Sequence, residues 1–172
     1  MGTYAGPRRS LQGSKAVNVL RPVARALDHI HDSGFVYRNV APHHILLTER
    51  ALSDPRYSEE VKLVDLRAAG MIPTREVAGP RVDHRSDIWS LAVVAFEMLT
   101  GRHPFPANNL MARYFKITHG PVPSPRQLNP ELPPACDGVF ARAFAKDRDE
   151  RYSSASAFVD ALTEALERPV VH

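Results

Sequence analysis

The stretch Arg85–Phe105, RSDIWSLAVVAFEMLTGRHPF, decides what kind of fold this sequence can form. Between residues 86 and 100 it is apolar nearly all round, and Gly101 follows at the position where a helix commonly ends. A helix that is apolar on every side has to lie inside a domain rather than on its surface. We therefore predict a core helix over residues 86–100, around which the domain packs through Trp89 and Phe96.

Outward from this helix, the sequence predicts further helices and only short strands. Leu20, Val23, Leu27 and Ile30 recur at steps of three and four, which indicates an amphipathic helix from residue 15 to about residue 33. Short β-type runs follow at residues 35–37, 45–48 and 61–64, the last after a polar loop. Three more helices are expected near residues 109–118, 135–145 and 154–166, with a proline-rich connector before the second. The fold class predicted is mainly α (α+β), with a few short strands.

Length, charge and cysteine content narrow the class of protein. The chain has 172 residues, of which 44% are hydrophobic, enough for one domain with a continuous core. Lys and Arg exceed Asp and Glu by only 22 − 19 = 3, so nucleic acid is not an expected partner. The single Cys136 cannot form an internal disulfide, and the apolar run at residues 88–99 is too short for a bilayer, which takes about 20 residues. We expect a cytoplasmic protein without a membrane partner.

Four motifs in order carry a resemblance to a known family. The segments YRN…PHHILL, VKLVDLR, RSDIWSLAVVAFEMLTGRHPF and FAKDRDERYSSASAF together resemble the C-terminal lobe of bacterial serine/threonine protein kinases. The resemblance covers nearly the whole chain. It implies a hinge-like segment at residues 1–14, a kinase C-lobe at residues 15–168 and a tail at residues 169–172. It also implies that the N-terminal lobe, with its glycine-rich loop and lysine strand, is absent.

The resemblance places the catalytic loop at residues 37–44, where this sequence departs from the family pattern. Tyr37, Arg38 and Asn39 stand where the family has His-Arg-Asp, and His44 stands where it has a magnesium-binding Asn. Asn39 has no carboxylate to accept a hydroxyl proton. Ala41 replaces the usual lysine, and His44 replaces an amide oxygen suited to a hard cation. The loop is therefore expected to be degenerate, with His44 hydrogen-bonded to backbone and no catalytic residue assigned.

Two residues match cofactor positions of the family. Asp65 corresponds to the metal-binding aspartate of Asp-Phe-Gly, although Arg67 replaces the glycine, and Leu46 corresponds to a residue that packs under adenine. We favour the interpretation of Asp65 as a family remnant or a local cap over that of a working magnesium site. Because nucleotide needs a second wall that the sequence does not encode, ATP and magnesium are expected to bind weakly or not at all.

Four residues match positions that support the fold in kinases. Asp87 and Arg38 correspond to residues that brace the catalytic loop from below. Glu76 is the best match to the glutamate of Ala-Pro-Glu and is expected to pair with Arg151. So short a segment between Asp65 and Glu76 implies that the chain lacks a peptide platform and a phosphorylation switch.

Three hypotheses of function follow. We favour a pseudokinase lobe that acts as a binding or regulatory module, with a protein partner on the surface left open by the absent N-lobe. The alternative is a serine/threonine protein kinase fragment that transfers phosphate from ATP once a missing N-lobe completes it. The third is a structural remnant without activity or partner. The histidines do not add a metal site to these hypotheses, because none has a ligand spacing typical of zinc; they include His29, His31, His43, His44, His84 and His103.

Overall fold

A computed structural model of the protein describes residues 2–3, 10–64, 72–73 and 83–168. In these ranges most residues with regular structure are helical, as the sequence predicts. The α-helices are α1 Gly13–Asp32, α2 Glu49–Ser53, α3 Arg85–Thr100, α4 Leu110–His119, α5 Ala135–Ala143 and α6 Ala155–Glu167. Short 3₁₀ helices lie at Pro42–His44, Pro55–Glu60, Pro125–Gln127 and Arg148–Glu150. The strands are β1 Gly2–Thr3, β2 Phe35–Val36, β3 Ile45–Leu47, β4 Lys62–Leu63 and β5 Ile72–Pro73.

The strands form two small antiparallel sheets on either side of the loop at residues 37–44. One sheet has the order β1-β3-β4, with Ile45 opposite Leu63, and the other pairs β2 with β5. Because β2 enters the loop and β3 leaves it, both ends of the loop are fixed by backbone hydrogen bonds. Strands β1 and β5 were not predicted; their pairing partners are distant in sequence, so local patterns do not reveal them.

Helix α3 is the centre of the core, which confirms the interpretation of its sequence. The side chain of Phe96 is fully buried and meets the ring of Phe140 edge to face at 5.4 Å. Trp89 is half-buried, and its ring stacks on Phe105 with centroids 5.6 Å apart. The helix ends at Gly101, which adopts the left-handed conformation (φ 71°) expected of a glycine C-cap.

Helix α1 begins at Gly13, two residues before the start predicted from the apolar repeat. Gln12 is still extended, with φ −60° and ψ 145°, so the first helical turn starts directly after it. A Cβ at Gly13 would lie 3.1 Å from Cδ2 of Leu166. Helix α6 therefore packs tightly against this turn, and the tertiary contact extends the helix beyond its hydrophobic stripe.

The polar stretch after β3, predicted as a loop, contains α2 and the 3₁₀ helix Pro55–Glu60. Two side-chain caps explain the difference: Thr48 Oγ1 accepts a hydrogen bond from Ala51 N at 3.3 Å, and Asp54 Oδ1 accepts one from Arg56 N at 3.0 Å. An ion pair between Arg50 and Glu60 joins the two helices, and this guanidinium lowers the pKa of the Glu60 carboxyl. Such short helices depend on side-chain caps and ion pairs rather than on an apolar repeat.

The N-terminus of α6 is held by a carboxylate of α1. Asp28 accepts hydrogen bonds from Ala155 N at 2.8 Å and Ser156 N at 3.0 Å. The Ser154 hydroxyl accepts a third from Ala157 N at 3.0 Å. The first turn of α6, whose N–H groups have no partner within the helix, is thereby satisfied across the interface between the two helices.

We predict that Asp28→Ala lowers the free energy of unfolding by about 1–2 kcal/mol, because it removes a charged cap from two amides. Equilibrium urea unfolding followed by circular dichroism measures this loss. Asp32→Ala is the matched control, since Asp32 is exposed on the same helix and its removal is expected to change stability by less than about 0.5 kcal/mol. Equal losses in the two variants would contradict the capping role.

None of the helices within the described ranges is long and apolar enough to span a bilayer.

Candidate functional site

The segment that matches the kinase catalytic loop runs from β2 through residues 37–41 into the 3₁₀ helix Pro42–His44 and then β3. Tyr37 lies at its start, and the side chain is fully buried. The phenol hydroxyl of Tyr37 donates a hydrogen bond of 2.6 Å to the backbone oxygen of Val64. The loop is thereby joined to the strand that leads toward Asp65.

Asp87, in the first turn of α3, supports the loop from inside the domain. Its side chain is completely buried. One carboxylate oxygen accepts the backbone N–H of Arg38 at 2.6 Å, and the other accepts that of Tyr37 at 2.8 Å. His31 Nε2 lies 2.8 Å from the same second oxygen. The buried carboxylate thus has three hydrogen-bond partners, which offset the cost of its burial.

The backbone of Arg38 shows why this support is needed. Arg38 has φ 69°, the one positive φ of a residue other than glycine in the described chain. The left-handed conformation costs an L-residue roughly 1–2 kcal/mol. The hydrogen bond from its amide to Asp87 holds the residue in this conformation, while its side chain is exposed. The carboxylate of Asp87 thus holds Arg38 through its amide, while a bracing role of Arg38 itself stays a prediction.

The sequence did not predict His31 as a supporting residue, because the pattern of its histidines was interpreted only for metal binding. A signal was available: His31 follows the buried Leu27 by four residues in α1 and so lies on the core-facing stripe. A histidine on such a stripe needs a polar partner inside the domain. Asp87 is that partner, although it lies 56 residues further along the chain.

The imidazole of His44 is folded back on its own loop. His44 is buried, with 7% of its surface exposed, and its Nδ1 lies 2.7 Å from the backbone oxygen of Asn39. A carbonyl oxygen only accepts hydrogen bonds, so Nδ1 carries the proton and donates it. The backbone adds a bond from His44 N to Ala41 O at 3.0 Å. His44 therefore closes the loop as a structural residue.

The other residues at the loop and in β3 provide neither a carboxylate nor a cation for phosphoryl transfer. Asn39 is exposed, so its side chain can meet a ligand but has an amide in place of a carboxylate. Ala41 is half-buried and has no cation. Leu46 is half-exposed in β3, where it is paired with Lys62 of β4. No carboxylate of the described residues 37–47 is available to a ligand.

Magnesium does not fit the donor set that the described residues provide. The cation prefers oxygen ligands, whereas the position at which the resemblance predicts an amide ligand holds an imidazole whose Nδ1 donates a hydrogen bond to the backbone oxygen of Asn39. Within the described ranges, no group of three His, Cys, Asp or Glu side chains has the arrangement of a metal site. Asp65 and Arg67 lie outside the described residues.

Arg151 lies at the other side of α3, and its expected partner Glu76 falls outside the described residues. The guanidinium of Arg151 lies over the ring of Trp89, 4.7 Å from its centroid. Its Nε donates to the backbone oxygen of Ala145 at 2.9 Å and its Nη1 to that of Arg85 at 3.3 Å. Burial lowers the pKa of Arg151, and Arg148 lowers it further. Arg151 thus joins α3 to the segment before α6, while its pairing with Glu76 stays a prediction.

Comparisons with known proteins agree with this geometry. Residues 3–169 match the family described as Protein kinase domain. The serine/threonine-protein kinases PknD and PknH of Mycobacterium tuberculosis are 36% and 34% identical over 169 residues, covering 91% and 90% of this chain. The chain spans only 25% and 26% of these two relatives. The crystal structure of the Mycobacterium tuberculosis PknI kinase domain superposes with a TM-score of 0.67 at 28% identity, covering 91% of this chain and 57% of that one.

Proposed function

Because this chain belongs to the protein kinase domain family, we propose that it is a pseudokinase lobe, which keeps the scaffold of the catalytic loop but does not transfer phosphate. Its function is then that of a binding or regulatory module. The observation that carries the proposal is the state of the loop. Asn39 and His44 replace the base and the metal ligand, and the His44 imidazole is bonded to the loop itself.

Phosphoryl transfer sets specific requirements that the loop does not meet. The reaction needs a group that orients the acceptor hydroxyl and cations that neutralise charge on the transferred phosphate. An amide at residue 39 has no basic oxygen at neutral pH, so it cannot take the proton of the hydroxyl. The methyl group of Ala41 contributes no charge toward a phosphate. The loop therefore supplies an ordered backbone without the reactive side chains.

The scaffold below the loop is intact, which explains why loss of catalysis need not mean loss of the fold. Asp87, His31 and the Tyr37 hydroxyl make hydrogen bonds that hold the loop and join it to Val64, the residue after β4. None of these bonds involves the side chain at residue 39. Substitution of the base therefore leaves the bracing network unaffected, and an ordered surface persists that a partner can recognise. The expectation of a protein partner remains a prediction.

The same intact brace favours the second candidate, a serine/threonine kinase fragment completed by an N-lobe in trans. Asp65 keeps the carboxylate that would hold magnesium in that case. The two candidates differ in their need for nucleotide, because phosphate transfer requires ATP together with the metal, whereas a binding module does not. They also differ in the effect of Asp65, which matters for the second candidate alone.

We predict that the purified chain shows no magnesium-dependent stabilisation by ATP up to millimolar concentrations. A thermal shift measures this, since a ligand raises the melting temperature according to its excess over Kd. The matched control is Asp65→Ala, titrated with ATP in the presence and absence of magnesium. A magnesium-dependent shift in the wild type that disappears in Asp65→Ala would favour the kinase fragment over the pseudokinase.

A further inference from the structure

Helix α4 is attached to the domain through very little buried surface. It has no buried residue, and Leu110, Met111, Tyr114 and Phe115 are exposed to 79%, 74%, 62% and 63%. Among the described elements none packs extensively against α4, whereas α1 and α6 pack closely along each other. Burial of apolar surface is the dominant favourable contribution to folding, so α4 gains little stability from the domain.

Two residues of α4 connect it to the rest of the molecule. Ile117 is half-buried and packs against the core, and its backbone oxygen accepts a hydrogen bond from Lys146 Nζ at 2.5 Å. Arg113 attracts Glu97 of α3: burial raises the pKa of the Glu97 carboxyl, and the charge of Arg113 opposes this rise. Polar contacts made by exposed cations contribute little to stability, so they can break while the domain stays folded.

Lys146 joins α4 to the aromatic part of the core. Its Nζ lies 5.9 Å from the centroid of the Trp89 ring and 5.8 Å from that of the Phe105 ring. Partial burial of the ammonium group lowers the pKa of Lys146, and the charge of Arg151 lowers it further. The same ammonium group therefore faces the core rings and donates its hydrogen bond to α4.

The chain on either side of α4 is anchored to the core. Before the helix Phe105 is buried, and after it Val122 packs against the core. Between these anchors, Lys116 Nζ donates to the backbone oxygen of Pro106 at 2.5 Å, which joins α4 to the start of its own segment. We call residues 106–121 the α4 strap. Because both its ends are fixed, the strap can leave the surface without displacing its neighbours.

We infer that the α4 strap opens from the domain as an independent unit, with Lys146 and Ile117 as the latch that holds it closed. A helix of ten residues is marginal in water, so α4 unfolds when the latch breaks. Such local opening requires less free energy than unfolding of the whole domain. Loss of the charge on Lys146 weakens the latch, which makes opening sensitive to the chemical state of one side chain.

The inference goes beyond the proposed function, because the strap opens whether or not the loop at residues 37–44 transfers phosphate. Native-state hydrogen exchange of the purified chain, followed by mass spectrometry, tests it. Relative to their intrinsic rates, the amides of α4 are expected to exchange at least about a hundredfold faster than those of α6. Leu91→Ala destabilises the whole domain, so it should accelerate exchange in α6 at least about tenfold and leave α4 nearly unchanged.

Variants of the latch should act on α4 alone. Lys146→Gln removes the charge, and Ile117→Ala removes the packing against the core; each is expected to accelerate exchange in α4 at least about threefold without affecting α6. Alanine forms helices better than isoleucine, so a faster exchange in Ile117→Ala reports lost packing. The matched controls are Lys62→Gln, at an exposed lysine of β4, and Tyr114→Ala, at an exposed position of α4. Neither is expected to accelerate exchange in α4.

Two results would overturn the inference. Exchange in α4 that is as slow as in α6, or that Leu91→Ala accelerates equally in both helices, would show that α4 opens only together with the whole domain. Exchange in α4 that stays at the wild-type rate in both Lys146→Gln and Ile117→Ala would show that these residues are not a latch. Neither result depends on ATP or on phosphate transfer, so the proposed function is tested separately.

Discussion

Replacing Asp87 with alanine is expected to lower the free energy of unfolding by about 3–5 kcal/mol. The carboxylate is fully buried and accepts the backbone N–H groups of Tyr37 and Arg38. Alanine leaves both amides and His31 without this acceptor inside the domain. It also removes the hydrogen bond that keeps Arg38 in its left-handed conformation, so the start of the loop loses this support. Equilibrium urea unfolding of the variant measures the loss.

Two further variants test whether the loss of stability comes from the hydrogen bonds that Asp87 accepts. Asp87→Asn keeps the shape of the side chain, but an NH₂ group replaces one carboxylate oxygen and cannot accept the hydrogen bond that this oxygen accepted. We therefore expect most of the loss of stability to remain. Asp83→Ala removes a half-exposed carboxylate beside the same helix and is expected to cost no more than about 1 kcal/mol. Similar stabilities for Asp87→Ala and Asp83→Ala would show that Asp87 is not the brace.

The second large effect is expected in the core. Phe96→Ala should destabilise the protein by about 3–5 kcal/mol, and Leu91→Ala by about 2–5 kcal/mol, because both side chains are fully buried in α3. For Phe96 the loss includes the edge-to-face contact with Phe140 and the cavity left between α3 and α5.

The control for Phe96 is the same substitution on the surface. Phe115→Ala removes a ring that is 63% exposed in α4, so its effect on unfolding should stay within about 0.5 kcal/mol. The difference between the two variants measures the contribution of burial, because the chemical change is identical. A loss below about 1 kcal/mol in Phe96→Ala would show that α3 is not the centre of the core.

The long helices could be predicted from the sequence because their signals are local. The apolar repeat predicted α1, and the almost unbroken apolar run followed by Gly101 predicted α3. Predicted ends differ from the observed ones by a few residues where tertiary contacts decide them, as at Gly13 against Leu166. The short α2 was missed because it depends on the cap from Thr48 rather than on periodicity.

The position of the candidate site along the chain could be predicted from the sequence, but its geometry could not. The motif order placed Asn39, His44 and Asp87 at the loop, and residue chemistry alone showed that a carboxylate was missing. A hydrogen bond from His44 to backbone was predicted, but its acceptor, the backbone oxygen five residues earlier, could not be. The exposure of the apolar side chains of α4 (Leu110–His119) was also hidden, because a helical stripe does not indicate which side meets the domain. The exposed fractions of these side chains in the structure show it.

The central claim is that the loop at residues 37–44 does not support phosphoryl transfer. Transfer of labelled phosphate from γ-labelled ATP tests it most directly, measured with the purified chain and with the full product of its reading frame, on a generic acceptor protein and on the chain itself. We predict that incorporation in the wild type does not exceed that of Asp65→Ala. Incorporation in the wild type that is clearly above background and lost in Asp65→Ala would contradict the claim and identify an active kinase.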